Sequence, residues 1–196
     1  MISLNIGGLT PFTMIDYPGK MSAVVFLQHC TWNCTYCHNP ALIPKQGNTG
    51  YSWQYIHEFL ISRIGKLDAV VFSGGEPLLQ NDLIHAMLQT KAMGYLIGLH
   101  TSGVSSSRLE KVLPVVDWVG FDVKAAFADY ETITGKRNSG INAKQSLEIL
   151  LASGVDYELR TVIDNDVHTD EMIDRLRADL KSYGVESIFR DKINKG

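Results

Sequence analysis

Outside one stretch of eight positions the chain has no cysteine. Cys30, Cys34 and Cys37 are its only three in 196 residues. Three thiols cannot all pair within one chain, so a disulfide framework is excluded, and clustered free thiols in a reducing compartment point to metal or catalysis. No apolar run is long enough to cross a bilayer. The N-terminal MISLNIGGLTPFTM lacks the basic start and apolar core of a secretory signal. A cytoplasmic protein with no membrane partner is therefore expected. A basic excess is missing too: 18 Lys and Arg stand against 21 Asp and Glu, for a net charge of −3. Phosphate binding needs concentrated cations, so nucleic acid is not expected as a partner. There is no internal repeat and no low-complexity segment. What remains is an ordinary globular composition, 45% hydrophobic and 20% charged, long enough for a sizeable core in one domain spanning residues 1–196.

The organisation is an alternation of strands and helices. Short apolar, β-branched runs predict strands at Ser22–Gln28, Ala69–Gly75, Tyr95–Gly103, Asp117–Lys124, Tyr157–Ile163 and Val185–Phe189. Between them, apolar residues recur at helical spacing. One helix follows Ser52. A second is capped at Asn81 and closed by Gly94. A third has capping-box spacing at Ser107 and Glu110. A fourth is opened by Asn142 and ended by Gly154. A fifth is opened by Thr169, with Asp170 and Glu171 in its first turn and Gly184 after it. Such alternation favours a parallel sheet. Periodicity does not choose between an open doubly wound sheet and an incomplete barrel. Polar residues gather where the strands end, and in a parallel α/β array those ends share one rim.

Two motifs lie on that rim. The first is FLQHCTWNCTYCHNP, with C-x3-C-x2-C spacing. A structural zinc site takes four ligands, so His29, His38 or a remote His would have to complete it. A 4Fe–4S cube held by three thiolates leaves one iron open for a substrate or cofactor. The second is FSGGEPLLQ, from Phe72 to Gln80. Its glycines permit close backbone approach to a ligand, and Glu76 offers a carboxylate able to accept from an ammonium. It is not a phosphate loop, because no Lys or Ser/Thr follows in register.

Taken together, the cysteine motif after the first strand, Tyr36 before the third cysteine, and Gly-Gly-Glu-Pro after the next strand resemble the radical S-adenosylmethionine (SAM) enzymes. The N-terminal GGLTPFTMIDYPGKMSAVVFLQHCTWNCTYCHNPALI, with SGGEP, TSG and FDVK following in order, is similar to activating enzymes of glycyl-radical enzymes. Its nearest resemblance is to the activators of anaerobic ribonucleoside-triphosphate reductase. The likeness runs to about Val162 and is weak in the tail VESIFRDKINKG.

The resemblance implies an α/β fold, a partial (β/α)6 barrel, in which residues 1–21 form an N-terminal substrate-side segment and residues 22–196 the βα units. It implies one 4Fe–4S cluster on Cys30, Cys34 and Cys37, with SAM on the open iron. Thr35, Tyr36 and Cys37 would line the adenine side. Gly74, Gly75 and Glu76 would take the methionyl ammonium. Thr101, Ser102, Asp122 and Lys124 would contact SAM, and Arg160 would meet its carboxylate or pair with Glu158. Asp16, Tyr17 and Pro18 would help receive the partner's glycine loop. His29, where these activators often carry a small residue, and His38 would border the cluster, whereas His57, His85 and His168 read as surface or packing residues. The expected activity is reductive cleavage of SAM, leaving a glycyl radical on a partner enzyme, with a flavodoxin or ferredoxin as electron donor. The alternatives are an activase of the formate-lyase type, a radical SAM enzyme with a small-molecule substrate, and a zinc-binding interaction module without catalysis.

Overall fold

The structure, a computed structural model, describes residues 2–45, 47, 49–186 and 188–191. Seven strands form one sheet: β1 (Ile6–Thr13), β2 (Ser22–Leu27), β3 (Ala69–Gly74), β4 (Leu96–Thr101), β5 (Trp118–Asp122), β6 (Asp156–Ile163) and β7 (Ile188–Asp191). They lie in the order β1-β2-β3-β4-β5-β6-β7. β2 to β7 are parallel throughout, and β1 is antiparallel to β2. A doubly wound sheet reverses its strand order partway. Here the order never reverses, which is the winding of a (β/α) barrel left incomplete at six parallel strands.

Burial along each strand separates two faces. Ala23, Val25, Leu27, Val70, Phe72, Ile97, Leu99, Val119 and Phe121 pack into one large core with the helices. The alternate positions Val24, Ala69, Val71 and Trp118 face the other way, where Tyr17 packs on them. This period of two is the pleat. It explains why polar residues at strand ends, in phase with the inner face, reach a common space.

The helices are α1 (Trp53–Ser62), α2 (Leu83–Ala92), α3 (Ser106–Val112), α4 (Tyr130–Thr134), α5 (Ser139–Ser153) and α6 (Asp170–Ser182). Ser52 and Thr169 cap α1 and α6 by accepting from Tyr55 N and Met172 N. Three other starts differ from the expectation. The residue before α2 is Asp82, whose carboxylate accepts from Ser3 N, while the Asn81 side chain accepts from Arg108. Ser105, not Ser107, precedes α3. α5 begins at Ser139 rather than Asn142: a Cβ on Gly140 would overlap the Phe127 carbonyl, so only glycine at that position lets this turn seat there. α4 was not read from the sequence. Neither was β1, because Gly7, Gly8 and Pro11 argue against a strand; as an edge strand with register shifts it tolerates them. β7 starts three residues later than expected, at Ile188, and the tail at 192–196 lies outside the described residues.

Candidate active site

The loop from Gln28 to Ile43 follows β2 and carries the three cysteines. Its backbone is fastened at several points. His29 N and Cys30 N donate to Leu42 and Ile43 carbonyls, Asn33 N to Thr134, and Cys37 N to Cys34. Trp32 anchors it by an edge contact with Tyr130 at 5.8 Å. His29 has φ 87°, a left-handed conformation that favours glycine. This accounts for a small residue being favourable there, and the surrounding hydrogen bonds hold His29 in place. All three cysteines line one open cavity of about 170 Å³, together with His38, Ser102, Asp122, Lys124 and Arg160.

Burial and nearby Glu76 push the Cys30 thiol up to about 12, and burial raises Cys34, with Lys124 acting against it. Burial therefore favours neutral thiols, and a bound cationic centre is what turns such groups into thiolates. Among the described residues no three His, Cys, Asp or Glu side chains gather tightly enough for a single metal ion. A cube spreads its cysteines over separate irons, so three thiols around one cavity fit it.

The SGGEP loop is packed on the cysteine loop. Gly75 N donates to Leu27 O and Glu76 N to His29 O, both at 2.8 Å. Gly74 has φ +123°, and a Cβ there would lie 2.2 Å from Leu27 O; one on Gly75 would lie 2.4 Å from His29 O. The glycines are thus required by the chain's own backbone, a reason beyond the ligand approach expected from the sequence. Glu76 is buried. Oε1 accepts from Leu78 N and Thr101 Oγ1, and Oε2 from Ser102 N. A carboxylate has about four acceptor sites, so one remains, on Oε2. Burial pushes its pKa up to about 7. Thr101 spends its hydroxyl on Glu76 and on Gly103 N, so it orients Glu76, whereas Ser102 lines the cavity.

Asp122 ends β5. Its carboxylate meets Lys124 Nζ at 3.1 Å and Arg160 Nη2 at 3.3 Å. Burial would raise the carboxyl, but the two cations outweigh it and hold it at about 2. Burial likewise works against the Lys124 ammonium, and Asp122 overcomes it, keeping the pKa above the usual lysine range. Arg160 is bound to Asp122 in neighbouring β5 and lies over Trp118 at 5.9 Å.

Behind the cavity, His168 is buried and fits the packing half of its surface-or-packing reading. Its Nε2 donates to Lys124 O at 3.0 Å, and its ring lies 5.1 Å from the Tyr36 ring. Tyr36 OH also donates to Lys124 O, and Lys124 N donates to Tyr130 OH. The Lys124 backbone is therefore clamped from three sides. His100, one of the polar residues at the strand ends, lines the cavity, and its phase with Gly98 on β4 puts it on the inner face. His57 is partly buried, and His85 is exposed beside Asp82.

Asp16, Tyr17 and Pro18 lie in the loop joining β1 to β2, and none lines the cavity. Tyr17 is buried with its ring 5.2 Å from Trp118. Asp16 accepts from Thr13 Oγ1 and, through its carbonyl, approaches His100; Pro18 is exposed.

A strictly sequential six-strand parallel array with a three-cysteine cavity at its rim defines a barrel enzyme built around a metal cluster and a bound cofactor. The chain belongs to the radical SAM superfamily, whose family model matches residues 24–186. It is a radical SAM enzyme, and this membership removes the zinc-module alternative. Among its relatives is a Methanocaldococcus jannaschii protein, MJ1227, assigned by name to the glycyl-radical enzyme activating enzymes. It is 30% identical over 192 residues, covering 93% of this chain and 78% of the relative. The pyruvate formate-lyase-activating enzyme of Clostridium pasteurianum is 31% identical, covering 83% and 70%. A PqqA peptide cyclase of Xanthomonas campestris is also 31% identical, but the match covers only 47% of that protein. Among solved structures, anSMEcpe with bound AdoMet has a TM-score of 0.67 at 14% identity, covering 84% of this chain and 48% of the other. QueE from Escherichia coli has a TM-score of 0.53 at 15% identity, covering 96% and 94%. Among the described residues no helix is long and apolar enough to cross a membrane.

Proposed function

We propose that this chain is an activase that generates a glycyl radical on a partner enzyme, with anaerobic ribonucleoside-triphosphate reductase as the partner favoured by the N-terminal motif. The observation that carries the reading is the convergence of Cys30, Cys34, Cys37, the SGGEP loop and Asp122-x-Lys124 on one cavity, in a chain 30% identical over nearly its whole length to a protein assigned by name to the activating enzymes. When bound, the cluster and SAM supply the hard chemistry: one electron splits SAM to methionine and a 5′-deoxyadenosyl radical, which takes a hydrogen atom from a glycine Cα. The chain binds, orients and shields. Cys30, Cys34 and Cys37 hold the cluster, with His29 and His38 beside it. Gly74, Gly75 and the open site on Glu76 Oε2 receive the methionyl ammonium, with Ser102 alongside. Arg160 offers its guanidinium to the carboxylate. Lys124 and Asp122 contact SAM, and the Thr35–Cys37 backbone with the Tyr36 ring borders the adenine. The loop containing Asp16 and Pro18, which exposes Phe12, Met14 and Ile15 nearby, meets the partner protein. A flavodoxin or ferredoxin in the cytoplasm delivers the electron.

Anaerobically purified protein is expected to be brown with about four iron per chain, and Cys34→Ala to lose both iron and SAM cleavage. Incubation with the reductase, SAM and reductant should give a glycyl-radical doublet by electron paramagnetic resonance. No doublet with any glycyl-radical partner overturns the activase assignment. The peptide-cyclase relatives support one second reading, modification of a peptide substrate. A covalently altered peptide by mass spectrometry, with no radical left on the protein partner, would favour it.

A further inference from the structure

His100 has two ring nitrogens and three partners. Nε2 lies 2.8 Å from the Asp16 carbonyl and 3.3 Å from Arg160 Nη1, and Nδ1 lies 3.3 Å from Ser73 Oγ. Burial and the neighbouring Arg160 cation push the ring's pKa down to about 4, with Asp122 and Asp16 acting against them, so it is neutral near pH 7. A neutral imidazole carries one N–H, and the three contacts cannot be made together. With the proton on Nε2, the ring donates to Asp16 O, Ser73 donates to Nδ1, and Arg160 Nη1 faces an N–H. With it on Nδ1, the ring donates to Ser73, Nε2 accepts from Arg160, and the Asp16 carbonyl loses its donor. The shorter distance favours the first arrangement.

In that arrangement Arg160 is underused. Nη2 reaches Gly120 O and an Asp122 oxygen at 3.3 Å each, and Nε has no partner among the described residues. Space for this group is cleared by glycine. A Cβ on Gly120 would stand 2.6 Å from Arg160 Nη2, and one on Gly98 would stand 3.0 Å from the Tyr17 ring. The loop that seats Tyr17 and the guanidinium that lines the cavity therefore meet at one imidazole.

We propose that His100 is a positioning residue that couples the loop between β1 and β2 to the cavity. A seated loop holds the Nε2–H tautomer and leaves Arg160 available to a carboxylate ligand; a lifted loop lets the ring accept from Arg160 and withdraw it. The exchange moves one proton between the ring nitrogens through solvent and changes no charge. Coupling of this kind is reciprocal: the ligand that engages Arg160 also favours the seated loop. The ligand's identity as SAM rests on the function proposed above.

Two measurements separate the claims. In 15N-histidine-labelled full-length protein, with the His100 signals assigned by their loss in His100→Gln, the ring should be Nε2–H in the native chain. It should be Nδ1–H in Tyr17→Ala, where the Trp118 contact that seats the loop is lost. This readout needs no cluster. On cluster-loaded protein, Tyr17→Ala should weaken SAM binding roughly fivefold or more, and by less than twofold in a His100→Phe background. An unchanged tautomer, or equal weakening in both backgrounds, overturns the coupling. If Tyr17→Ala does not fold, Tyr17→Leu serves in the same cycle. Loaded native protein that binds no SAM defeats the functional reading, while the tautomer result still decides the coupling.

Discussion

At the scale of single residues, the motif glycines do more than approach a ligand. Gly74 sits at φ +123° with Leu27 backbone where a Cβ would go, whereas Gly8 on β1 has only the Phe26 side chain, at 3.8 Å or more. Gly74→Ala should therefore cost roughly 1–3 kcal/mol through backbone strain. Gly8→Ala should be neutral or slightly stabilising, by about half a kcal/mol. Denaturant midpoints compare them directly, and equal effects at the two sites would show that the packing of the two loops is not what demands Gly74. The cysteines, Glu76 and the Asp-x-Lys pair were legible because their types and spacing are rare. Thr101 was legible as a site residue but not in its role, since only the fold shows its hydroxyl committed to Glu76.

Among elements, helix starts test how local the coding is. Ser52 and Thr169 accept a backbone N–H from Tyr55 and Met172, while Ser105 makes no side-chain cap bond. Thr169→Ala should cost about 1 kcal/mol, and Ser105→Ala only a few tenths, as read from thermal melts at matched conditions. A loss at Ser105 as large as that at Thr169 would contradict the cap geometry. α5 shows why boundaries slip in sequence reading. Its first turn is set by contact with the Phe127 backbone, distant in helical phase from anything the apolar pattern records. β1 shows the converse: a glycine- and proline-containing segment becomes a strand because its neighbour β2 supplies the pairing.

At the scale of the whole molecule, the Asp122 carboxylate ties β5 to β6 and to Lys124, and Arg160 continues the chain of contacts to His100 on β4. Because the folded-state pKa of Asp122 is about 2, below the ordinary aspartate value, its contribution to stability is fully present above about pH 4. That contribution is lost as pH falls through about 2. The stability difference between the native chain and Asp122→Asn should be constant from pH 5 to 7 and shrink between about pH 4 and 2. Chemical denaturation across that range measures it, and a difference that does not change with acid would exclude an ionised, paired Asp122.

Legible along the chain alone were the class of chemistry, the alternation of strands and helices, and the rim on which the motifs lie. Each of these is set by residue type at short spacing, which is local information. The tertiary structure decided three things: that the strand order never reverses, that His168 and Tyr36 brace the Lys124 backbone, and that His100 stands between Asp16 and Arg160. The last contact joins residues 84 and 60 positions apart in the chain. Only the side-by-side pairing of β4, β5 and β6, with the loop between β1 and β2 folded onto their inner face, brings them within hydrogen-bond reach, and no periodicity along the chain records that distance.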